Sequence, residues 1–258
     1  MSTREMVVAG QFYPDNSKQI DDWFDRWKSE PIPKRNFTPK ALIVPHAGYM
    51  YSGLCAYKAY KQVQENIEQV IVIGPSHRIA FEGASVGLFK QIQTPYGKIE
   101  CNEHTNKTLL DSFFWLNYLP IAHKEHSTEV QFPFIKKLFP NACVTEIVYS
   151  SIDSKTLSNL IETCLKFQNT LIVISTDLSH FYSLEEANKL DSNCIEAIKN
   201  VNTEKLKNCE ACGIVGMSAL ILSAFKNKWN SQVIEYTTSY DQSGDKSQVV
   251  GYVSAILG

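Results

Sequence analysis

Six short, mostly apolar and β-branched runs recur along the chain, at residues 41–44, 70–73, 143–148, 171–174, 233–236 and 249–255. Runs with little polar alternation suit strands covered on both faces. Between them, residues 56–65, 129–139, 155–167, 185–199 and 213–229 have the length and patterning of helices. Strands alternating with helices predict an α/β architecture, with helical layers packed on a largely parallel sheet. Residues 89–100 read as two extended pieces around the turn Thr94-Pro95-Tyr96-Gly97, an antiparallel excursion that makes the sheet mixed. Pro133 has no amide hydrogen, so the helix at 129–139 begins near it or bends there, leaving His126 ahead of the helix body.

The 258 residues are 44% hydrophobic, enough to build a sizeable core and to argue against intrinsic disorder. The one linker-like stretch, residues 30–39 with Pro31, Pro33 and Pro39, lies too near the N-terminus to separate two domains, so residues 1–258 are read as one. Lys plus Arg number 25 against 27 Asp plus Glu, for a net charge of -2, which gives no basic footprint for nucleic acid. No apolar stretch reaches the roughly 18 residues of a spanning helix. The start of the chain shows no signal region, and the expectation is a soluble cytoplasmic protein without a membrane partner. Seven scattered cysteines (Cys55, Cys101, Cys143, Cys164, Cys194, Cys209, Cys212) do not form a disulfide framework, so reduced thiols are expected.

Three histidines follow buried runs: His46 after the run ending at Val44, His77 after Ile73 and His180 after Ile174. In open α/β sheets the carboxyl ends of parallel strands share one edge, where ligand crevices lie, so the three imidazoles are predicted to converge. A lone histidine after a strand is ordinarily a hydrogen-bonded loop residue; three in equivalent places point to a shared polar site. His126, in Glu125-His126-Ser127-Thr128-Glu129, faces the same crevice on this reading. His46 and His77, on what should be adjacent strands, fit the histidine pair of a two-histidine, one-carboxylate ferrous site. Asp241, Asp245, Glu129 and Asp177 are the candidates for the third ligand. His180, with Asp177 three residues earlier to orient it, is assigned proton transfer. His104 and His123 are read as solvated or structural. The Cys209-x-x-Cys212 spacing lacks a second cysteine pair, and Cys212 is read as a small residue at a tight helix start, lining or supporting the crevice. Ser76, Ser175 and Ser179 lie near histidines, but no Gly-x-Ser-x-Gly elbow accompanies them. Phe12, Tyr13, Trp23, Phe24 and Trp27 form an aromatic cluster read as packing.

Gln11-Phe12-Tyr13-Pro14, Pro45-His46-Ala47-Gly48-Tyr49, Tyr51-Ser52-Gly53, Gly74-Pro75-Ser76-His77, Glu125-His126-Ser127, Ser175-Thr176-Asp177-Leu178-Ser179-His180 and Cys212-Gly213, taken in order, resemble the Memo family, whose prokaryotic members are called AmmeMemoRadiSam system protein B. The resemblance covers the chain from about residue 7 onward. It implies a three-layer α/β/α sandwich similar to the LigB-like class III extradiol dioxygenases, which hold ferrous iron on two histidines and a carboxylate. On that likeness His46 and His77 match the family's metal histidines, His180 the acid or base, and Asp177 and His126 residues lining the pocket. In the animal Memo protein a cysteine near the C-terminus completes the metal site; that position is Gln242 in this sequence, and Asp241 beside it is taken as the third donor.

The first functional reading is therefore an oxidoreductase of unknown substrate that uses iron (Fe2+) or copper, with His46, His77 and Asp241 as ligands and His180, Asp177 and His126 serving the chemistry. The second is a binding or adaptor module on a degenerate dioxygenase scaffold, which recognises a small molecule or peptide without turnover. The family's prokaryotic name implies AMMECR-type and radical S-adenosylmethionine partners for either.

Overall fold

The computed structural model describes residues 2–63 and 66–258, so the predicted end of the helix at 56–65 lies outside the described residues. The strands are β1 (Thr3–Arg4), β2 (Ala41–Val44), β3 (Gln69–Pro75), β4 (Ala84–Val86), β5 (Gln91–Thr94), β6 (Gly97–Glu100), β7 (Leu116–Asn117), β8 (Cys143–Tyr149), β9 (Thr170–Ser175), β10 (His180–Tyr182), β11 (Ser231–Thr238) and β12 (Val249–Leu257). The helices are α1 (Ser17–Trp27), α2 (Leu54–Tyr60), α3 (Glu103–Ser112), α4 (His126–Glu129), α5 (Phe132–Leu138), α6 (Ser154–Cys164), α7 (Leu184–Lys199), α8 (Ile214–Lys226) and α9 (Tyr240–Ser243). A π-helical turn at Tyr49–Gly53 leads into α2.

The main sheet runs β10-β12-β2-β9-β3-β8-β4-β7, with β11 also paired to β12. Its centre, β2, β9, β3 and β8, is parallel throughout. Antiparallel β12 and β4 flank that centre, so the sheet is mixed. Strand side chains alternate between faces, and the alternation divides the interior in two. Ile43, Ile71, Ile73, Ile172 and Ile174 meet α6, α7 and α8 on one face, whereas Leu42, Val44, Val70, Val72, Leu171 and Val173 meet α1, α2 and α5 on the other. Helices on both faces of one sheet make the three-layer α/β/α sandwich.

Several expectations are corrected. The strands that carry His46 and His77 are not neighbours, because β9 pairs with β2 on one edge and β3 on the other. The hairpin of β5 and β6 forms with Gln91 opposite Glu100, but it joins β1 in a separate three-stranded sheet, because β1 occupies the free edge of β5. Pro133 sits in the first turn of α5, where its missing donor is harmless, and His126 opens a short helix of its own. Cys194 and Cys209 form a disulfide, so two of the seven cysteines are not thiols; the chain after α7 turns back along that helix, and the turn Lys205–Asn208 brings the Cα of Cys209 to 4.8 Å from that of Cys194. Among the described residues no helix is long and apolar enough to cross a membrane.

Candidate metal centre

Each site histidine owes its place to a strand end. His46 follows β2 and His77 follows β3, while β9 stops between them at Ser175. With the intervening strand ended, the two rings lean over its terminus to a centroid separation of 5.2 Å. His126 comes from α4, which lies close against β3 because Gly74 has no side chain; a Cβ there would stand 2.7 Å from Ser127 Oγ. Ser127 Oγ donates to Pro75 O at 2.7 Å across that contact. The His126 ring lies 4.6 Å from that of His77 and 5.3 Å from that of His46. One nitrogen from each of His46, His77 and His126 falls within 4.8 Å of the others, a spacing able to hold a metal ion.

The hydrogen bonds decide which nitrogen each ring offers. Pro45 O can only accept, so it fixes the Gln131 amide with Nε2 towards it at 2.9 Å, and the same nitrogen donates to Ser175 Oγ at 2.9 Å. Tyr60 donates to the Gln131 oxygen. Ser175 gives its own proton to Ser127 O, another pure acceptor, so Ser175 Oγ can only accept from His46 Nδ1, 3.1 Å away. His46 is thereby protonated on Nδ1, and its Nε2 lone pair faces the crevice. Burial, followed by the neighbouring His77 and His126, pushes the His46 pKa well below its ordinary value, so the ring is neutral at pH 7.

Glu125 does the same for the other two rings. Its Oε1 lies 3.3 Å from His77 Nδ1 and 2.8 Å from His126 Nδ1, while its oxygens also accept the backbone N–H groups of His77, His126 and Ser127. Burial raises a carboxyl pKa, but these hydrogen bonds outweigh it and hold Glu125 well below the usual range. An ionised acceptor behind two imidazoles leaves Nε2 as the free lone pair on each, the arrangement that orients histidine ligands around metals. Three imidazole nitrogen donors suit zinc, copper or iron. Sequence reasoning missed Glu125. The available signal was an acidic residue directly before a helix start, where it caps α4.

The remaining predicted residues stand as follows. Asp177 is buried next to the site, and its Oδ1 accepts the His46 backbone N–H at 2.7 Å. Burial pushes its carboxyl up, against the pull of that bond and of His180 and His126. Its carboxylate is spent on the His46 loop rather than on the His180 ring. His180, half-buried on β10, has no ring hydrogen bond among the described residues. Asp241 stands apart on exposed α9, where its carboxylate accepts from Thr237 Oγ1 and Thr238 N, and the residue that lies with His46 and His77 at a spacing able to hold an ion is His126 instead. Gln242 is on the same exposed turn. Asp245 binds Ser247, and Glu129 is enclosed by Arg4, Tyr13 and the backbone of Val7 and Val8. Cys212 does line the crevice, with Sγ 3.4 Å from His46 Nε2; burial and then Asp177 push its thiol pKa up to about 12. Phe12 packs on His126 at 4.7 Å, which makes the N-terminal aromatic segment one wall of the site. His123 is structural, buried between Glu146 and Ser85.

Fold and site together define the class: an α/β protein with a three-imidazole cluster on the carboxyl edge of its parallel strands. The sequence matches the profile of the Memo-like protein family over residues 4–256. A MEMO1 family protein of Aquifex aeolicus (strain VF5) is 36% identical over 276 residues, covering 100% of both chains. One from Methanobrevibacter smithii is 35% identical over 281 residues, covering 98% of this chain and 99% of the relative. A solved structure, uncharacterized protein JW3007 from Escherichia coli K12, aligns with a TM-score of 0.47 at 12% identity over 84% of this chain and 99% of that one. The chain belongs to the Memo family.

Proposed function

We propose that the crevice holds a transition-metal ion on His46, His77 and His126 and that the protein is a metal-dependent oxidoreductase acting on a small molecule. The observation that supports this is the meeting of three imidazoles whose Nδ1 atoms are all committed to the protein, which leaves three lone pairs for one ion. Imidazole donors suit iron and copper, the two ions that would supply redox chemistry when bound. The chain's own residues hold the ligands in place through Ser175 and Glu125. Phe12 screens one side of His126 from water, and His180 at the rim gives or takes the substrate's proton. The test is anaerobic calorimetry with ferrous iron, repeated with Cu(I). Wild type is expected to bind, and the double variant His46→Ala, His77→Ala to lose at least about a hundredfold in affinity. Equal heats in the two proteins for both ions remove the metal reading.

One observation favours a second reading. No side chain among the described residues orients the His180 ring, whereas general acid–base catalysis needs a positioned group. The crevice then serves as a binding module for a peptide or small anion, working with AMMECR-type and radical S-adenosylmethionine proteins. Capture of such a partner by wild type, lost on replacing His46, His77 and His180, would support this reading.

A further inference from the structure

Residues 200–213, between α7 and α8, form a strap that turns back along α7 and ends in the crevice wall. Its covalent tie is the disulfide between Cys194 and Cys209, 15 residues apart. Cys194 is fully buried on α7 beside Ala187, Ala197 and Ile198, whereas Cys209 is only partly buried. That packing, with the capping box of Ser183 and Glu186, holds the helix whether or not the bridge is closed. The strap has less to hold it. Its remaining ties to α7 include the Asn202 N–H on Ala197 O at 2.9 Å, the buried Leu206 side chain and a half-exposed Lys205–Glu196 ion pair. An ion pair that open to water adds little. Val201, where the strap leaves α7, has a φ of 48°. A β-branched side chain crowds the backbone in that left-handed region, so the turn is held under strain.

The far end of the strap meets two walls of the crevice. Tyr182 on β10 donates to Glu210 Oε2 at 2.9 Å, and β10 begins at His180. The Cys212 backbone N–H donates to Asp177 O at 3.2 Å, and the Asp177 carboxylate holds the His46 N–H. Cys209 is the residue before Glu210 and precedes Cys212 by three, so the bridge anchors the strap immediately ahead of both contacts.

We propose that the Cys194–Cys209 pair is a redox site that sets how firmly the crevice wall is held, with a dithiol as the reductant. One thiolate of the dithiol attacks the accessible Cys209 sulfur, forming a mixed disulfide and releasing Cys194. Its second thiol then displaces Cys209. The dithiol gives up two electrons and leaves as a disulfide, and its two protons end on Cys194 and Cys209. Once reduced, the strap keeps only its non-covalent ties and Val201 is free to relax. Glu210 and Cys212 then hold β10 and Asp177 less tightly. The oxidised chain has the rigid wall. One bridge beside five free cysteines is no disulfide framework, so opening it releases the strap and leaves the core packed.

The test is peptide-resolved hydrogen exchange on the full-length, air-oxidised protein, before and after dithiothreitol and with no metal added, so its outcome is independent of the metal reading. Alkylation in denaturant is expected to find the five free thiols before reduction. Modification of Cys194 and Cys209 at that stage would overturn the bridge. Reduction is expected to speed exchange at least about tenfold in residues 200–213 and 177–182, and to leave α7 ahead of Cys194 unchanged. The double variant Cys194→Ala, Cys209→Ala is expected to show the fast pattern with and without dithiothreitol. Faster exchange confined to residues 200–208 would sever the link to the crevice and overturn the proposal, as would unchanged exchange throughout. Loss of protection across α7 would make the bridge a structural staple and overturn it equally. Should the double variant not fold, reoxidation of reduced wild type in air decides. Return of slow exchange supports the redox site, and exchange that stays fast after the bridge has re-formed overturns it.

Discussion

Ser175 is uncharged and touches no solvent, yet it sets which nitrogen of His46 meets the crevice. Its own partners are buried: it donates to Ser127 O and accepts from the Gln131 amide, which Pro45 O holds in place. Ser175→Ala is therefore expected to let His46 populate the other tautomer, read by nitrogen-15 NMR of the imidazole, and to cost about 1–3 kcal/mol for the groups left unpaired. A His46 ring still wholly protonated on Nδ1 would show that the serine does not select it. At this scale the sequence is informative where position alone carries the meaning. A histidine two to four residues past a buried run can be placed at the sheet edge without knowing its partners, which is why His46 and His77 are legible. Glu125 and Ser175 are not, because their roles lie in which atoms face them across 48 to 129 residues of chain. Asp241 is the opposite case: a carboxylate in a polar turn reads as a ligand, but its Oδ2 has local partners in Thr237 and Thr238 that compete for it.

At the scale of elements, the site depends on how closely α4 approaches the end of β3. Gly74→Ala places a methyl group 2.7 Å from Ser127 Oγ and 3.0 Å from Thr128 Cγ2, both on a helix clamped to its neighbours. The expected cost is about 1–3 kcal/mol in denaturant unfolding, the usual penalty for overpacking. Because the push displaces His126 from His77, zinc affinity should fall with it. A destabilised variant with unchanged zinc affinity would mean that His126 is not a ligand. The strands themselves are legible, since the runs at 41–44, 70–73 and 171–174 each lie within β2, β3 and β9. Their order is not. Nothing in a local apolar run says that β9 inserts between β2 and β3, because pairing is decided by contacts between residues far apart in sequence. The same reason explains the hairpin's departure into a second sheet, which depends on the two-residue strand β1. Helix α3 goes unread because its apolar positions are few and mixed with charge, whereas α1 carries a helical spacing in Ile20, Trp23, Phe24 and Trp27 that the sequence reading takes only as an aromatic packing cluster.

The whole molecule is tied together by one buried ionic cluster. Arg4, on the small sheet, donates through Nε to both oxygens of Glu146 on β8, through Nη1 to Glu129 at the end of α4, and through Nη2 to the Glu125 carbonyl beside the site. His123 and Thr128 complete the shell around Glu146. Burial alone would raise the Glu146 pKa, but Arg4 and then His123 outweigh it and bring the carboxyl down to about 2. A carboxylate depressed in the folded state adds stability that is fully present above its unfolded value near 4.5 and is lost as pH falls towards 2. The difference corresponds to about 3 kcal/mol. Unfolding free energy measured in urea is thus expected to fall steeply between about pH 4.5 and 2. Glu146→Gln should cost about 3–5 kcal/mol at pH 7, because Arg4 is left buried with one charged partner fewer, and it should flatten the acid limb. An equally steep limb in that variant would assign acid sensitivity to other carboxylates and reduce the cluster to a local contact. If the limb flattens, low pH also releases the small sheet and α4 together, so His126 should leave the crevice in the same transition.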